Sequence, residues 1–511
     1  MAKSCKSYEF SLEKLIYMLC IIHRKHIKMG KFYDREQELR LINKLLKAPG
    51  VSLVIVKGIR RVGKTSLILK ALEEKSFINL FIPKDKTPAL FLEESASELK
   101  VPRFVKIVDF FRYLFEHHEI IFMDEFQNFY SLDKSVYSDL QKLFEEMKQK
   151  NKKLCLLVTG SSYSLIKKIF SDYAKALYGR KDAEINLEEL PVSYVCAWLR
   201  DLGITDLEEQ IQYWSLFGGM PKFYDTLGKI SPANFKDFLS SWLKQGRTMI
   251  DEGSSILISE FGGEYKTYYS VMEAIAQGKT KLSEIASVFE NDSITANRYI
   301  DILRKEYNLV AKTTPLLDNI RTSRQGIYVL KHNFLLFWFA FVKRYENYYE
   351  QNRFTELGEL VEKNINSFIG RQFESFCLEL MKQQSLLPVA FTHFGRQWGK
   401  IAHATRDKNQ YEIDICGVND QTREIIVGEC KWQELVDAEK IVAGLQEKIH
   451  YLPWNEGDRT EYFVVFAKSF KHRIKSKKVF LFDLIDLEKM LKRQDDFTTE
   501  MAKEYVELTK G

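Results

Sequence analysis

The sequence predicts an α/β fold: a parallel sheet with helices on both faces, then a helical lid, a winged helix and a compact mixed α/β end. Three observations predict it. Short apolar runs at Leu53 to Lys57, Phe77 to Ile82, Ile120 to Met123, Leu154 to Thr159 and Ala183 to Leu187 alternate with amphipathic stretches, the pattern of strands joined by crossover helices. From 188 to 260 the apolar period is helical throughout, with breaks at Pro191 and at Gly218-Gly219-Met220-Pro221. Residues 261 to 345 show helix-period segments followed by two short β-type runs, Leu309 to Ala311 and Ile327 to Leu330.

The remainder follows in order. A long helical pattern from Glu356 to Gln384 leads into three strand-like stretches, a helix near Ala438 to Tyr451, and strands at Glu461 to Ala467 and Val479 to Leu484. At about 150 residues per domain, 511 residues accommodate three or four domains. The division read here is an N-terminal extension at 1–29, a first α/β core at 30–187, the lid at 188–260, the winged helix at 261–345 and the mixed domain at 346–511. Residues 1–28, ahead of Met29, read equally as an extension or as an accessory helix packed on the core.

Composition sets limits. Hydrophobic residues at 45% and charged residues at 29% exclude a largely disordered or collagen-like chain. With 25 Gly and 10 Pro, long flexible linkers are not expected. A net charge of +6 permits a basic surface without demanding one. Seven scattered cysteines with no CxxC pair argue against a disulfide framework or a structural zinc site, and for a reducing, cytoplasmic setting. The apolar run Leu15 to Ile22 is too short for a membrane span, so no membrane partner is expected.

The strand at Leu53 to Lys57 runs into Gly58-Ile59-Arg60-Arg61-Val62-Gly63-Lys64-Thr65-Ser66 and then a helix. This is GxxxxGKT in its proper context, which makes the first sheet a P-loop NTPase sheet. The glycines let backbone N–H groups and the helix N-terminus face phosphates, Lys64 supplies a cation to them, and the Thr65 hydroxyl suits Mg²⁺. ATP and Mg²⁺ are therefore the expected ligands. Ile120 to Met123 ends in Asp124-Glu125, where Asp124 would hold Mg²⁺ through water and Glu125 would act as general base. Thr159-Gly160-Ser161-Ser162 ends the fourth strand, and Ser161 reads either as a γ-phosphate sensor or as part of an ordinary turn. Arg180, before the last strand, reads either as an arginine finger or as half of a surface ion pair.

Together with Phe32-Tyr33-Asp34-Arg35-Glu36-Gln37-Glu38-Leu39, Gly179-Arg180 and Gly218-Gly219-Met220-Pro221, these motifs resemble the archaeal ATPase family, a branch of AAA+-like, signal-transduction-type P-loop ATPases. The resemblance covers residues 30 to about 345. It implies that Arg35 and Pro221 lie near the adenine and that the Gly-Gly-Met-Pro turn senses nucleotide state. Asp34 stands where the family often has Gly.

In the winged helix, Leu282 to Ala286 and Ser293 to Arg304 read as two helices, with Ser293 as N-cap of the second. Thr295, Asn297, Arg298, Arg304 and Lys305 are placed to meet a DNA groove, although winged helices also serve as protein docking modules. The aromatic run Phe334 to Phe341 reads as core.

In the last domain Glu374 sits mid-helix, Asp414 lies on one strand, and Glu429-Cys430-Lys431 lies on the next. Side chains two apart on a strand share a face, so Glu429 and Lys431 project together and a hairpin brings Asp414 beside them. Two carboxylates and a lysine can hold a metal ion and activate water. This spacing resembles the PD-(D/E)xK superfamily, particularly its restriction-endonuclease-like members, over about 358 to 487. The resemblance implies metal binding by Asp414 and Glu429 with support from Glu374, and water activation or phosphate stabilisation by Lys431. Lys468, Lys471, Arg473, Lys475, Lys477 and Lys478 form an acid-free basic run, which reads as a phosphate contact or as a solvated loop.

The expected function is thus an ATP-hydrolysing protein coupled to a DNA-binding winged helix and a metal-dependent nuclease-like domain, with DNA as partner and a homo-oligomer compatible with it. Its rivals are a regulatory ATP switch whose nuclease-like domain only binds, and a protein-interaction scaffold.

Overall fold

The computed structural model describes residues 31–492 apart from 172–175, 246, 262–264, 320–322, 324, 384–386, 388, 402–404 and 406–408. The expected extension at 1–29 lies outside the described residues. The chain divides into two compact units, Met1–Glu188 and Glu189–Gly511.

The first unit is built on five parallel strands: β1 (Val51–Lys57), β2 (Ile78–Phe81), β3 (Ile120–Asp124), β4 (Leu154–Gly160) and β5 (Ala183–Asn186), in the order β2-β3-β4-β1-β5. All five expected strands are present. Their near-continuous apolar character follows from burial on both faces: β4 is buried at every residue. Helices α1 (Glu36–Lys47), α2 (Lys64–Ala71), α3 (Pro88–Leu99), α4 (Ile107–His117), α5 (Val136–Gln149) and α6 (Tyr163–Ser171) cover the sheet. One core carries a dense aromatic cluster, in which Phe91 meets Phe110 and Phe129 edge to face. Because β1 lies between β4 and β5, the chain direction of the sheet order switches there. A crevice at the carboxyl ends of the strands is where such sheets take ligands.

The second unit begins with α7 (Val192–Asp201), α8 (Leu207–Phe217), α9 (Pro221–Ile230), α10 (Phe235–Leu243) and α11 (Arg247–Phe261). Next come α12 (Tyr265–Ala276), α13 (Leu282–Ile285), α14 (Ser293–Lys305) and an antiparallel hairpin of β6 (Val310–Thr313) and β7 (Ile327–Leu330). The N-cap of α14 is Asp292, whose carboxylate accepts from the Ile294 and Thr295 amides, and not Ser293, which is the first helical residue. The aromatic run is core, as expected: α15 (Asn333–Phe337) passes into a π-helical turn, Trp338–Lys343, with Trp338 and Phe339 fully buried. Gly253 of α11 admits the indole, since a Cβ there would lie 2.3 Å from Trp338.

The thirty-residue helix α16 (Phe354–Gln383) leads to a second five-stranded sheet: β8 (His393–Lys400), β9 (Gln410–Asn419), β10 (Glu424–Lys431), β11 (Thr460–Ala467) and β12 (Val479–Phe482), with α17 (Ala438–Lys448) between β10 and β11. The strands lie in sequence order; β8-β9-β10 is antiparallel and β10-β11-β12 parallel. Among the described residues no helix is long and apolar enough to cross a membrane.

Candidate nucleotide and carboxylate-lysine sites

The loop from Gly58 to Gly63 joins β1 to α2, and local sterics explain its glycines. A Cβ on Gly58 would stand 2.5 Å from the Leu187 carbonyl oxygen, and Gly63 caps α2 at φ 95°. Lys64 is buried, with Nζ donating to the carbonyls of Gly58 at 2.9 Å and Ile59 at 3.0 Å. Ile59, Arg60, Arg61, Val62 and Ser66 complete the loop and the first helical turn, with Arg61 left-handed at φ 76°. Arg35, buried and left-handed at φ 80°, donates to the Glu188 carbonyl, one residue beyond the Leu187 that meets Gly58.

Parallel register sets Met123 against Val158, so Asp124 and Thr159 leave the sheet side by side. Asp124 is a hub. One carboxylate oxygen accepts from Thr65 Oγ1 at 2.8 Å, and the other accepts from the Thr159 hydroxyl and from the Glu125 amide at 2.9 Å. Burial, joined by the adjacent charge of Glu125, pushes the Asp124 carboxyl above the usual carboxylate range. Thr65 and Asp124 together offer hard oxygen donors at the end of the loop, a donor set that suits Mg²⁺.

Glu125 is itself left-handed at φ 57°, which turns its side chain out of strand β3. Its Oε2 accepts from Ser161 Oγ at 2.7 Å and from Gln127 Nε2. Gln127 is buried, and its Oε1 has no hydrogen-bond partner. Gly160 makes room for it, because a Cβ there would lie 2.5 Å from Gln127 Oε1. Gln127 was not among the expected site residues; its signal was only its place two residues beyond an acid pair. Arg180 donates to Glu145 of α5, so of its two expected roles the structure displays the ion pair. Pro221 belongs to the second unit, where it opens α9 after the Gly218-Gly219 turn.

That turn is tightly clamped. A Cβ on Gly219 would fall 2.1 Å from the Leu190 carbonyl oxygen, while the Gly219 amide donates to Glu189 Oε2 at 2.7 Å. The other Glu189 oxygen pairs with Nδ1 of the buried His332, just after β7.

In the second sheet, hairpin β9–β10 brings Asp414 next to Glu429 and Lys431 as the spacing predicts, and Asp414 Oδ2 accepts from the Cys430 amide at 2.9 Å. Glu374 of α16 reaches the same place and pairs with Arg396 of β8 at 2.9 Å. Burial, with Asp414 nearby, pushes Glu374 up to about 7. Burial, with Glu429 nearby, pushes Asp414 up to about 6. Burial would raise Glu429 as well, but its two ammonium partners outweigh it and hold the carboxyl below the usual range. Those partners are Lys431 at 2.7 Å on one oxygen and Lys448 of α17 at 2.9 Å on the other.

Both oxygens of Glu429 are occupied by lysines, and among the described residues no three His, Cys, Asp or Glu are grouped to hold a metal ion. Glu374, Asp414 and Glu429 are neighbours in one charge network. Cys430 is buried, as expected, with its thiol against that of Cys377.

The basic groups also sort themselves. On α14, Arg304 and Lys305 both pair with Asp301, at 3.0 and 2.8 Å, and the Thr295 hydroxyl donates to Asp292 at 2.6 Å. In the basic run, Lys468 pairs with Glu208 at 2.6 Å and Arg473 with Asp486 at 2.7 Å.

Comparison with known proteins agrees with the first unit's architecture. A family model described as an AAA domain matches residues 51–194, and one described as archaea bacterial proteins of unknown function matches residues 338–441. The chain therefore carries an AAA-type P-loop ATPase domain joined to a C-terminal segment of that second family. Over 467 residues it is 27% identical to an uncharacterized protein of Methanocaldococcus jannaschii, covering 89% of this chain and 99% of that one. Among solved structures, the Walker-type ATPase PABY2304 of Pyrococcus abyssi is similar at 17% identity, 63% of this chain, 99% of that chain and a TM-score of 0.47. The ORC2 protein of Aeropyrum pernix is similar at 12% identity, 65% of this chain, 98% of that chain and a TM-score of 0.36.

Proposed function

We propose that this protein is an ATP-hydrolysing switch whose second unit engages nucleic acid. The observation that carries the ATPase reading is the Asp124 hub, which joins the loop hydroxyl of Thr65, the Thr159 hydroxyl and the Glu125 backbone at the carboxyl end of β3. With ATP bound, the loop amides and the α2 N-terminus face its phosphates, and Lys64 exchanges the carbonyls of Gly58 and Ile59 for phosphate oxygens. Thr65 and Asp124 would hold Mg²⁺, which supplies neutralisation of the phosphate charge. Glu125 orients the attacking water and takes its proton, while Ser161 and Gln127 fix the position of that carboxylate. Arg35 lies on the adenine side, and the Gly218–Pro221 turn answers nucleotide state, as the family resemblance implies. Arg180 would act as a finger only on release from Glu145.

In the second unit, helices α12 to α14 with hairpin β6–β7 support a winged-helix reading. The sheet order β12-β11-β10-β9-β8, with β9 reversed, supports a PD-(D/E)xK reading of the end domain. A specific observation favours nucleic-acid binding over metal-dependent cleavage there: Lys431 and Lys448 close both oxygens of Glu429. In either case Asp414, Glu429 and Lys431 form the centre that a backbone phosphate approaches.

Two assays test the proposal. Phosphate release from ATP should be Mg²⁺-dependent and fall about 10²- to 10⁴-fold in Glu125→Gln while nucleotide binding persists; equal turnover in the variant removes Glu125 as base. Plasmid or single-stranded DNA incubated with Mg²⁺ or Mn²⁺, with and without ATP, should bind without being cut. Cleavage that disappears in Asp414→Ala would establish the nuclease instead.

A further inference from the structure

One face of the second sheet changes character along its length. At one end Cys430, Val464, Phe466 and Phe482 are buried, with Cys430 against Cys377 of α16. At the other end the same face carries four aromatic rings: Phe394 of β8, Phe391 just ahead of that strand, Tyr462 of β11 and Phe480 of β12. Each keeps part of its surface in water. They form one row, with ring centroids 5.7 Å apart for Phe391 and Phe394, 6.2 Å for Phe391 and Tyr462, and 6.1 Å for Tyr462 and Phe480. A contiguous apolar patch left in water and rimmed by polar groups marks a binding surface.

The sheet holds this row in place. A Cβ on Gly417 of β9 would lie 2.5 Å from Phe394 Cε1, so the glycine seats that ring. Register pairs Ile426 with Tyr462 and Val464 with Phe480. Both rings are therefore on the face opposite Val427, Phe463 and Val465, which share a core with Val442 and Leu445 of α17. The Tyr462 hydroxyl donates to Glu424 Oε1 at 3.1 Å, which fixes the ring. Lys431 lies on the α17 face, and its place on β10 is beyond Ile426 by about 16 Å of extended strand. The aromatic row is thus a site apart from the Asp414, Glu429 and Lys431 centre.

Charge says what the row would take. The Lys478 carbonyl accepts from the Phe463 amide at 2.8 Å, which sets Lys477 and Lys478 beside Tyr462 and Phe463. Alternation along the chain gives Lys478 the face of Phe480. Both lysines are exposed, and neither has an ion pair among the described residues. Of the acids beside Tyr462, Glu461 pairs with Arg459 at 2.9 Å, and Glu424 accepts from the Tyr462 and Thr422 hydroxyls. Two uncommitted ammonium groups at the end of a row of rings fit a polyanion that carries flat apolar groups at regular intervals. Unpaired bases on a phosphate backbone are that polyanion, whereas a duplex hides the same ring faces inside its stack.

We infer that Phe391, Tyr462 and Phe480 form a stacking platform for an unpaired nucleic-acid strand, with Lys477 and Lys478 on its phosphates. The inference rests on the nucleic-acid reading above and deepens it, naming single strands as the partner and holding them away from Glu429 and Lys431. Its test uses the full chain in EDTA with fluorescein-labelled oligothymidine or oligouridine, followed by anisotropy across a salt series. Binding to either supports the platform, and the tighter of the two assigns the strand to DNA or RNA. An unlabelled single strand should compete at least about tenfold better than a duplex of equal length. Tyr462→Ala should weaken binding about 5- to 150-fold, the effect of one lost stacked base, and keep the salt slope. Phe480→Leu, which stays apolar and should melt like the parent, should weaken it at least about fivefold. Tyr462→Phe keeps the ring and should bind like the parent. Lys477→Gln combined with Lys478→Gln should lower the slope of log K against log salt by about 1.4. Equal competition by duplex, or parent-like binding in both Tyr462→Ala and Phe480→Leu, overturns the platform; loss of that binding in Lys431→Gln would then leave the nucleic-acid reading standing at the other centre. Absence of salt-dependent binding to strand and duplex alike overturns that reading and the platform with it.

Discussion

Glu125 and Glu429 are both acids held by two donors, yet the donors differ in kind, and so do the consequences. Glu125 is held by a hydroxyl and an amide, neutral groups that orient a carboxylate without discharging it. Gln127→Ala should therefore lower ATP turnover about tenfold with unchanged ATP affinity, the pattern of a lost positioning contact; stopped-flow phosphate release against equilibrium nucleotide binding separates the two. Glu429 is held by two ammoniums. Lys448→Met should free one oxygen, raise the Glu429 carboxyl, and strengthen Mn²⁺ binding as read by calorimetry. Glu374 gives a pH signature. Its folded value of about 7 lies above the ordinary carboxyl value, so between roughly pH 4.5 and 7 the native state holds a proton that the unfolded chain has lost, and stability falls as pH rises through that window. Glu374→Gln, which keeps an acceptor for Arg396, should raise stability at pH 8 by about 1–3 kcal/mol and leave it nearly unchanged at pH 5. Urea melts at the two values check this.

At the scale of elements, the parts legible in the sequence were those with a local cause. The five parallel strands announce themselves as apolar runs because both faces of their sheet are covered, and the Gly58–Ser66 loop is specified by steric and hydrogen-bonding demands within nine consecutive residues. Asp414, Glu429 and Lys431 were legible because a hairpin keeps them close. Arg396, Lys448 and His332 were not, since each reaches its partner from another element and carries no periodic mark; Gln127, two residues from Glu125, was not because no motif marks it. The Asp292 cap was missed in favour of Ser293 because both are good capping types and only backbone geometry decides between neighbours. The turn before α9 allows a further prediction. Gly219→Ala sets a Cβ against the Leu190 backbone, which cannot rotate away as a side chain would, so it should destabilise the protein by about 2–4 kcal/mol in thermal or urea unfolding.

For the molecule as a whole, the AAA-type domain and the nucleic-acid reading of the second unit are joined by one thermodynamic requirement. If nucleotide state governs engagement, then DNA must change ATP affinity by the same factor as ATP changes DNA affinity. Glu125→Gln loaded with ATP should differ from the ADP form in DNA affinity about 5- to 150-fold, and the reciprocal shift should appear in nucleotide titrations; equal affinities in both states would leave two independent activities on one chain. One earlier feature also bears on how the protein can be dissected. Glu189, at the start of the second unit, is satisfied jointly by the Gly219 amide and by His332, 143 residues downstream. A fragment truncated between α9 and β7 would inherit a carboxylate stripped of its histidine, and insolubility of such a piece would reflect an ill-chosen cut rather than an unfoldable domain. An expression boundary drawn by family match alone at 194 severs this tie; one at 338, or one that keeps residues 189–345 together, preserves it.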